Sequence, residues 1–137
     1  MALTHLVDTS VLTRLSSDAV RTVVDPLIAA GRAARAGISD LEIGFSAQNV
    51  NEWESLASSV GVLSLVETSA AHVRRARQTQ RLLAEQHLKG RSIPDLLIAA
   101  AAEEERLTVL HYDKDFDLIA QVTGQQCQWV VNRGSIN

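Results

Sequence analysis

The sequence predicts an α/β domain, a three-layer α/β/α sandwich around a mainly parallel sheet of about five strands. Short apolar runs alternate along the chain with longer segments of helical periodicity, as in strands joined by helical crossovers. A length of 137 residues suits one domain with a core of ordinary size. No internal repeat, low-complexity segment or glycine-rich phosphate loop interrupts the pattern. We therefore expect residues 1–137 to form a single domain.

The composition excludes several classes of protein. Hydrophobic residues make up 46% of the chain and charged residues 21%, which is typical of a globular protein and not of a disordered one. No apolar run approaches the roughly 20 residues that cross a membrane, and residues 1–8 lack the basic start and apolar stretch of a signal peptide. The single cysteine, Cys127, argues against an internal disulfide and a cysteine-based zinc site. We therefore expect a cytoplasmic protein.

Charge is unevenly distributed along the chain. The net charge of −3 argues against nucleic-acid binding through bulk electrostatics. Between Arg74 and Arg91, however, six basic residues accompany a single acid, Glu85. Arg74, Arg77 and Arg81 are spaced i, i+3 and i+7, so a helix places them on one face. Such a strip is either a solvated helix face or a track for a polyanion.

The first half of the chain predicts three strands and four helices. Thr9 or Ser10 supplies an N-cap after the first apolar run. Pro26 is expected to restart or kink the second helix. Ser39 and Glu42 fit a capping box, with a hydroxyl at the N-cap and a glutamate three residues later. The predicted strands are 3–7, 33–38 and 62–66, and the predicted helices are 9–16, 17–30, 39–48 and one from Asn49 or Asn51 to Gly61.

The second half predicts three helices and two strands. Ser69 opens the longest helix, which is expected to end before Gly90. Pro94 starts a helix that is apolar on most of its circumference and therefore buried. That helix ends near residue 106, and it is followed by a strand at 108–111, a helix through 116–122 and a strand at 128–131. The tail after Asn132 is expected to be loose.

Four acidic residues lie where strands end or helices begin. Asp8 ends the first strand, and Asp113 follows the fourth. Glu42 and Asp95 lie in the first turns of helices. A helix dipole or a cap is enough to explain a single acid at a helix start, with a stabilisation of about 0.3–1 kcal/mol. In an open parallel sheet, however, the carboxyl ends of the strands border the ligand crevice, so these acids are expected to converge there.

Converging carboxylates require a counter-charge. Without one they repel each other, and some take up protons. A divalent cation removes this penalty and keeps the carboxylates ionised. Oxygen ligands favour Mg²⁺ or Mn²⁺ over zinc, and Mg²⁺ commonly completes its shell with phosphate oxygens. The acids therefore point to phosphate-ester chemistry at a Mg²⁺ or Mn²⁺ site.

Each of the four acids stands in a short motif. The motifs are Val7-Asp8-Thr9-Ser10, Ser39-Asp40-Leu41-Glu42, Ile93-Pro94-Asp95-Leu96-Leu97-Ile98-Ala99-Ala100 and His111-Tyr112-Asp113-Lys114-Asp115-Phe116. Together and in this order they resemble the four acidic motifs of PIN-domain nucleases. The resemblance is closest to the VapC-type toxins of bacterial VapBC toxin–antitoxin systems, and it covers essentially the whole chain.

The resemblance implies a PIN-like fold and a Mg²⁺- or Mn²⁺-dependent endoribonuclease that acts on single-stranded or looped RNA. The residues that match the family's catalytic and metal-binding acids are Asp8, Glu42, Asp95 and Asp113. Of these, Asp8 and Asp95 are the foremost candidates for direct metal contact. Ser10 matches a position at which the family often has a hydroxyl that hydrogen-bonds a site acid. The resemblance also implies a homodimer and a VapB-like antitoxin whose tail covers the active-site cleft.

Several further residues are candidates for supporting roles. Asp115 is a possible ligand or outer partner of the metal site, although an acid at this point also resembles a solvated helix start. The basic strip of Arg74, Arg77 and Arg81, together with Arg91, is a possible track for an RNA backbone. Arg14, shortly after Asp8, is expected to face the same cleft.

Three other functions remain open. The first is a PIN-like binding module without catalysis, in which the acidic cleft only holds the basic tail of a partner. The second is a phosphoacceptor receiver domain, which needs an aspartate after the third strand and a lysine after the fifth, where this chain has Glu67 and Arg133. The third is RNA cleavage by histidine acid–base chemistry, which needs no metal.

Overall fold

The structure is a computed structural model that describes residues 2–89 and 91–137. The strands are β1 (His5–Val7), β2 (Ala33–Ala36), β3 (Ser64–Val66), β4 (Thr108–His111) and β5 (Cys127–Trp129). The helices are α1 (Thr9–Leu12), α2 (Asp18–Ala29), α3 (Gly37–Phe45), α4 (Val50–Val60), α5 (Ala70–Glu85), α6 (Ile93–Glu105) and α7 (Asp115–Thr123). Within the described residues the five strands form one parallel sheet in the order β3-β2-β1-β4-β5. The predicted α/β fold with about five parallel strands is confirmed.

Strand β1 lies in the middle of the sheet, between β2 and β4. His5 is in register with Ala33 of β2, and Val7 is in register with Leu110 of β4. The chain runs outward from β1 through β2 to β3 and then crosses to the other side of β1 to form β4 and β5. The strand order therefore reverses between β1 and β4, where open parallel sheets bind ligands. Receiver domains have the strand order 2-1-3-4-5 instead, so the alternative of a phosphoacceptor receiver domain is wrong.

Each face of the sheet has its own apolar core. On one face, Leu6 belongs to a buried cluster with Leu96 of α6 and Phe116 of α7. The next residue, Val7, belongs to a second cluster on the other face, which includes Ile43 of α3 and residues of α1, α2 and α4. Because successive side chains of a strand point to opposite faces of the sheet, the short strand β1 contributes to both cores. Helix α6 is buried over most of its length, as its sequence predicts.

Two predicted helix starts are wrong. Helix α1 is capped by Asp8 and not by Thr9 or Ser10, because the carboxylate of Asp8 accepts the backbone N–H of Ser10. Helix α3 begins at Gly37, before the predicted capping box, and its N-cap makes no side-chain hydrogen bond. Ser39 lies fully buried within the first turn of α3. Its hydroxyl is engaged by a side chain from α1 and is therefore not used as a cap.

Helices α2 and α5 also differ from expectation. Helix α2 is continuous through Pro26, whose carbonyl accepts the N–H of Ala30 at 3.0 Å. Val20 and Val24 before the proline are buried in the apolar cluster on this face of the sheet, and the partly buried Leu27 after it packs against the same cluster, so α2 is held on both sides of Pro26. Helix α5 ends at Glu85, and Gly90, the residue predicted to close it, lies outside the described residues.

The tail after Asn132 is attached to the domain, so the prediction that it is loose is wrong. The hydroxyl of Tyr112 donates to the carbonyl of Ile136 at 2.7 Å and accepts the N–H of Ile136 at 3.1 Å. Arg14 Nε donates to the carbonyl of Asn137 at 2.7 Å. These contacts are hydrogen bonds from common polar side chains to the backbone of the tail, and no local sequence pattern predicts them.

Candidate metal site at the carboxyl ends of the strands

Asp8 directly follows β1 and is held by its neighbours in the chain. One carboxylate oxygen, Oδ2, accepts the backbone N–H of Ser10 at 2.9 Å and the hydroxyl of Ser10 at 2.6 Å. The Ser10 hydroxyl in turn accepts the N–H of Tyr112, just after β4, at 2.9 Å. Residue Asp8 is only 2% exposed, and its other oxygen, Oδ1, is buried without a hydrogen-bond partner among the described residues. The residues that follow β1 and β4 therefore hold Oδ2 of Asp8 in place. Its Oδ1 has no hydrogen-bond partner among the described residues.

Asp95 brings a second buried carboxylate to the same edge. It lies in the first turn of α6, where its N–H faces the hydroxyl of the N-cap, Ser92, at 3.4 Å. A carboxylate oxygen of Asp95 lies within 4.8 Å of oxygens from Asp113 and Asp115, so the three acids form one group able to hold a metal ion. Asp113 Oδ1 accepts the N–H of Asp115 at 2.9 Å, which fixes the loop between β4 and α7.

Glu42 lies at the rim of this site. Its side chain extends from α3, and Oε1 lies 2.7 Å from the hydroxyl of Thr9. The same hydroxyl lies 2.7 Å from the hydroxyl of Ser39, which is completely buried. Glu42 itself is exposed, and its negative charge contributes to the raised pKa of Asp8. Glu42 is therefore close enough to Asp8 to share its electrostatic environment.

Burial and mutual repulsion make these carboxylates difficult to ionise. Burial, opposed by the hydrogen bonds from Ser10, raises the pKa of Asp8 from 3.8 to about 6, and the charge of Glu42 adds to the increase. Burial raises the pKa of Asp95 from 3.8 to about 7, with further contributions from the charges of Asp8, Asp113 and Asp115. Because the charge of Asp8 contributes to the raised pKa of Asp95, the two carboxylates interact electrostatically.

The donor set fits a divalent cation. Every candidate donor is a carboxylate oxygen, which suits a hard cation such as Mg²⁺ or Mn²⁺. Asp8 Oδ1 is buried without a hydrogen-bond partner among the described residues, which destabilises the folded state. A bound cation would remove this penalty. Repulsion among the acids would be converted into attraction to the same ion. The residues therefore have the chemistry of a metal site.

The five arginines predicted to contact RNA lie in different surroundings. Arg91 borders the acidic group, since its guanidinium donates to Asp115 Oδ1 at 3.2 Å and also to the carbonyl of Lys89. Arg14 lies over the ring of Tyr112, with its Cζ 4.9 Å from the ring centroid, and it donates to the carbonyl of Ser10 at 2.6 Å. Arg14 therefore anchors α1 and the tail.

The remaining three arginines form the basic strip of α5. Their side chains line one open groove on the surface of the helix, together with Gln78, Gln80 and Ala84. Within this strip, Arg81 forms an ion pair with Glu85, one turn further along the helix. The strip is solvent-exposed at each of its three positions, as Arg74, Arg77 and Arg81 lie outward on α5.

Sequence reasoning missed several residues that shape the site. The hydroxyl of Thr9 contacts both Glu42 and Ser39, whereas the i, i+3 spacing of Ser39 and Glu42 predicts a capping box. Asp115, predicted as a possible ligand or outer partner, lies in the acidic group together with Asp95. Nothing in the sequence signals the link between Ser10 and the backbone of Tyr112, since 102 residues separate the two positions.

The fold and the acidic edge agree with a comparison against protein families. The PIN-domain family model matches residues 5–122. The chain therefore belongs to the PIN-domain family. It is similar over its full length to Ribonuclease VapC51 of Mycobacterium tuberculosis, with 58% identity and 100% of both chains covered. It is also 38% identical to Ribonuclease VapC21 of the same species, over 98% of this chain and 99% of the relative.

Solved structures show the same fold. The VapBC complex from Salmonella typhimurium bound to DNA contains a chain that matches with a TM-score of 0.81 and 14% identity, covering 94% of this chain and 99% of that one. A chain of VapBC2 from Rickettsia felis, bound to a promoter DNA fragment, matches with a TM-score of 0.78 and 17% identity over the same shares. Within the part of the chain that the structure describes, no helix is long and apolar enough to cross a membrane.

Without a cation, we expect the free energy of unfolding to fall as the pH rises from about 4 to about 7. The folded state keeps protons on Asp8 and Asp95 that the unfolded state has already released near pH 3.8, so stability is lost as these folded-state groups ionise. Each retained proton contributes a slope of at most about 1.4 kcal/mol per pH unit, and Asp95→Asn should remove the contribution of Asp95. Urea unfolding with chelator at pH 5 and pH 8 measures the effect.

The exposed Asp25→Asn variant serves as the control, because it removes one negative charge from α2. It should keep the pH dependence of the unsubstituted protein. An Asp95→Asn protein that loses stability between pH 5 and pH 8 as steeply as this control would contradict the electrostatic account of the site.

Proposed function

We propose that the chain, as a single domain over residues 1–137, is a Mg²⁺- or Mn²⁺-dependent endoribonuclease and the toxin of a VapBC toxin–antitoxin system. The observation that carries the proposal is the group of carboxylates at the switch point of a PIN-domain sheet, with a buried free oxygen on Asp8. The relatives at 58% and 38% identity are named ribonucleases, and they match almost the whole chain. A cytoplasmic location, where RNA is available, belongs to the same proposal.

The residues proposed to hold the metal are Asp8, Glu42, Asp95 and Asp113. A divalent cation bound there supplies a Lewis acid that stabilises charge on the phosphate and lowers the pKa of water. Ser10 holds Oδ2 of Asp8 in place, while Oδ1 has no hydrogen-bond partner among the described residues and would be available to a cation. Asp115 is part of the geometric group and is restrained by Arg91, so we propose it as an outer partner or an additional ligand.

The proposed reaction is hydrolysis of an RNA phosphodiester by in-line attack of water, leaving a 5′-phosphate and a 3′-hydroxyl. We propose that Glu42 also accepts a hydrogen bond from the attacking water, which its exposure and the contact of one of its oxygens with Thr9 support. Asp95 and Asp113, whose carboxylate oxygens lie within 4.8 Å of each other, would hold the cation. No side chain needs to form a covalent intermediate in this scheme.

Histidine acid–base cleavage is a weaker alternative. Among the histidines, His111 is nearest the acids along the chain, and its Nδ1 accepts the N–H of Asp113 at 3.3 Å. It is fully buried, and burial lowers its pKa. A buried imidazole with one nitrogen already engaged has no access to an RNA 2′-hydroxyl. The alternative of a binding module without catalysis predicts instead that the acids hold only the basic residues of a partner.

The antitoxin is the proposed protein partner. Both structures described above are VapBC complexes, and the acidic edge offers complementary charge to a basic tail. Next to Glu42 on α3, Leu41 is 70% exposed and Phe45 is 91% exposed, and Trp53 of α4 is 48% exposed. We propose that an apolar segment of the VapB-like antitoxin covers these side chains while its basic tail enters the cleft. A homodimer, implied by the family resemblance, remains part of this proposal.

Asp8→Asn and Asp95→Asn should each abolish RNA cleavage and growth arrest while the domain still unfolds cooperatively. We expect a loss greater than about 100-fold, because changes to the outer shell of a metal site alone cost about 10–100-fold. Mapping of 5′ ends in cellular RNA after induction measures the activity, and Asp25→Asn is the matched control. Cleavage and toxicity retained by both site variants would rule out the assignment, as would activity that survives a chelator.

Charge reversal of the basic strip tests the proposed RNA track. The triple variant Arg74→Glu, Arg77→Glu and Arg81→Glu should bind single-stranded RNA more weakly without a change in Mn²⁺ affinity. Loss of three phosphate contacts should reduce the slope of log affinity against log salt by about 2. The charge-matched control replaces Arg21, Arg32 and Arg106 with glutamate. Equal RNA affinity and equal salt slope in the two triple variants would eliminate α5 as the track.

A further inference from the structure

The loop that joins β4 to α7 carries Asp113 and leads into Asp115, the first residue of α7, and its shape depends on two consecutive hydrogen bonds. In the first, the N–H of Asp113 donates to Nδ1 of His111 at 3.3 Å. In the second, the N–H of Asp115 donates to Oδ1 of Asp113 at 2.9 Å. Each bond joins a side chain to the backbone two residues later, the pattern by which polar side chains stabilise turns. The first of them begins at His111.

The ring of His111 is fixed by the core. The residue is completely buried, and its ring centroid lies 5.0 Å from that of Phe116 on α7 and 4.9 Å from that of Trp129 on β5. Trp129 is itself held in place, because its Nε1–H donates to the carboxylate of Asp117 at 3.1 Å. Packing from two different elements therefore determines where Nδ1 of His111 points.

A histidine destabilises this buried position, which indicates that the hydrogen bond accepted by its Nδ1 has a role. Because Nδ1 accepts a hydrogen bond, the ring proton is on Nε2, which is buried without a hydrogen-bond partner among the described residues. A buried polar group without a partner destabilises the folded state. A phenyl ring would fill the same space between Phe116 and Trp129 without that penalty. What a phenyl ring lacks is the acceptor for the N–H of Asp113.

We propose that His111 is a positioning residue of the metal site, whose Nδ1 fixes the backbone at Asp113 so that Asp113 and Asp115 meet Asp95. The inference rests on the proposed metal-dependent function, because the acids must act on a cation for their placement to matter. His111 itself touches neither the metal nor the RNA. It acts through one main-chain hydrogen bond, and its aromatic neighbours supply the rigidity.

Two substitutions separate the acceptor from the ring. His111→Phe keeps the ring and removes Nδ1, whereas His111→Asn removes the ring and keeps an acceptor able to reach the N–H two residues later. Purified proteins are titrated with Mn²⁺ by calorimetry, and their thermal unfolding is recorded without metal. We expect His111→Phe to bind Mn²⁺ about 10–100-fold more weakly, as for other outer partners of metal ligands. His111→Asn should bind within about threefold of the unsubstituted protein, even where its melting temperature is lower.

His72→Phe is the matched control. His72 is 2% exposed, and its Nδ1 also accepts a backbone N–H, that of Ser69 at 3.2 Å in the cap of α5. Its loss removes the same kind of bond from another part of the fold and should leave Mn²⁺ affinity unchanged. Equal weakening in His111→Phe and His72→Phe would show a general effect of stability and overturn the inference.

The remaining outcomes separate the inference from the function on which it rests. Undiminished Mn²⁺ affinity in His111→Phe overturns the positioning role while the metal site stands. Absence of Mn²⁺ binding by the unsubstituted protein overturns both. If His111→Phe does not fold, the ¹⁵N chemical shifts of the imidazole in the unsubstituted protein decide. The inference requires an unprotonated Nδ1 and a protonated Nε2, and the reverse tautomer contradicts it.

Discussion

The burial of two carboxylates, Asp8 and Asp95, beside other acids is the constraint on which the rest of this structure depends. Asp8 and Asp95 are nearly excluded from water, and each is in the field of other acids at the edge of the sheet. Such an arrangement destabilises a folded protein at neutral pH unless a cation is present. The hydrogen bonds from Ser10 offset part of the cost, but no group in the described part of the chain forms a hydrogen bond with Oδ1 of Asp8. The domain thus carries a stability penalty that a divalent cation converts into binding free energy.

The strand order explains why the acids meet. Strands β2 and β3 are added on one side of β1, and β4 and β5 on the other. The strand order therefore reverses between β1 and β4, and the residues that follow these two strands border one crevice. The N–H of Tyr112 reaches across that gap to Ser10 and ties the two strand ends together. Helix α6 then brings Asp95 to the same crevice with its first turn, where the helix dipole favours negative charge. Topology, rather than any single motif, creates the site.

The sequence predicts well what depends on local patterns and less well what depends on tertiary contacts. Strand β4 and the start of α6 were predicted closely because an apolar run and a helix-starting proline are local signals. The role of Ser39 was misinterpreted, since a capping box and a hydroxyl that supports a site acid look alike in one dimension. The acceptor role of His111 depends on loop geometry, which the sequence does not specify.

A crystal structure of the protein grown with Mn²⁺, with the ion located by its anomalous scattering, tests the central claim most directly. The account predicts an anomalous peak between Asp8 and Asp95, with carboxylate oxygens about 2.1 Å from the ion. Oδ1 of Asp8, which is buried and has no hydrogen-bond partner within residues 2–89 and 91–137, should be among these ligands. Crystals in which Mn²⁺ is absent from this edge, or in which the two carboxylates point away from each other, would contradict the account.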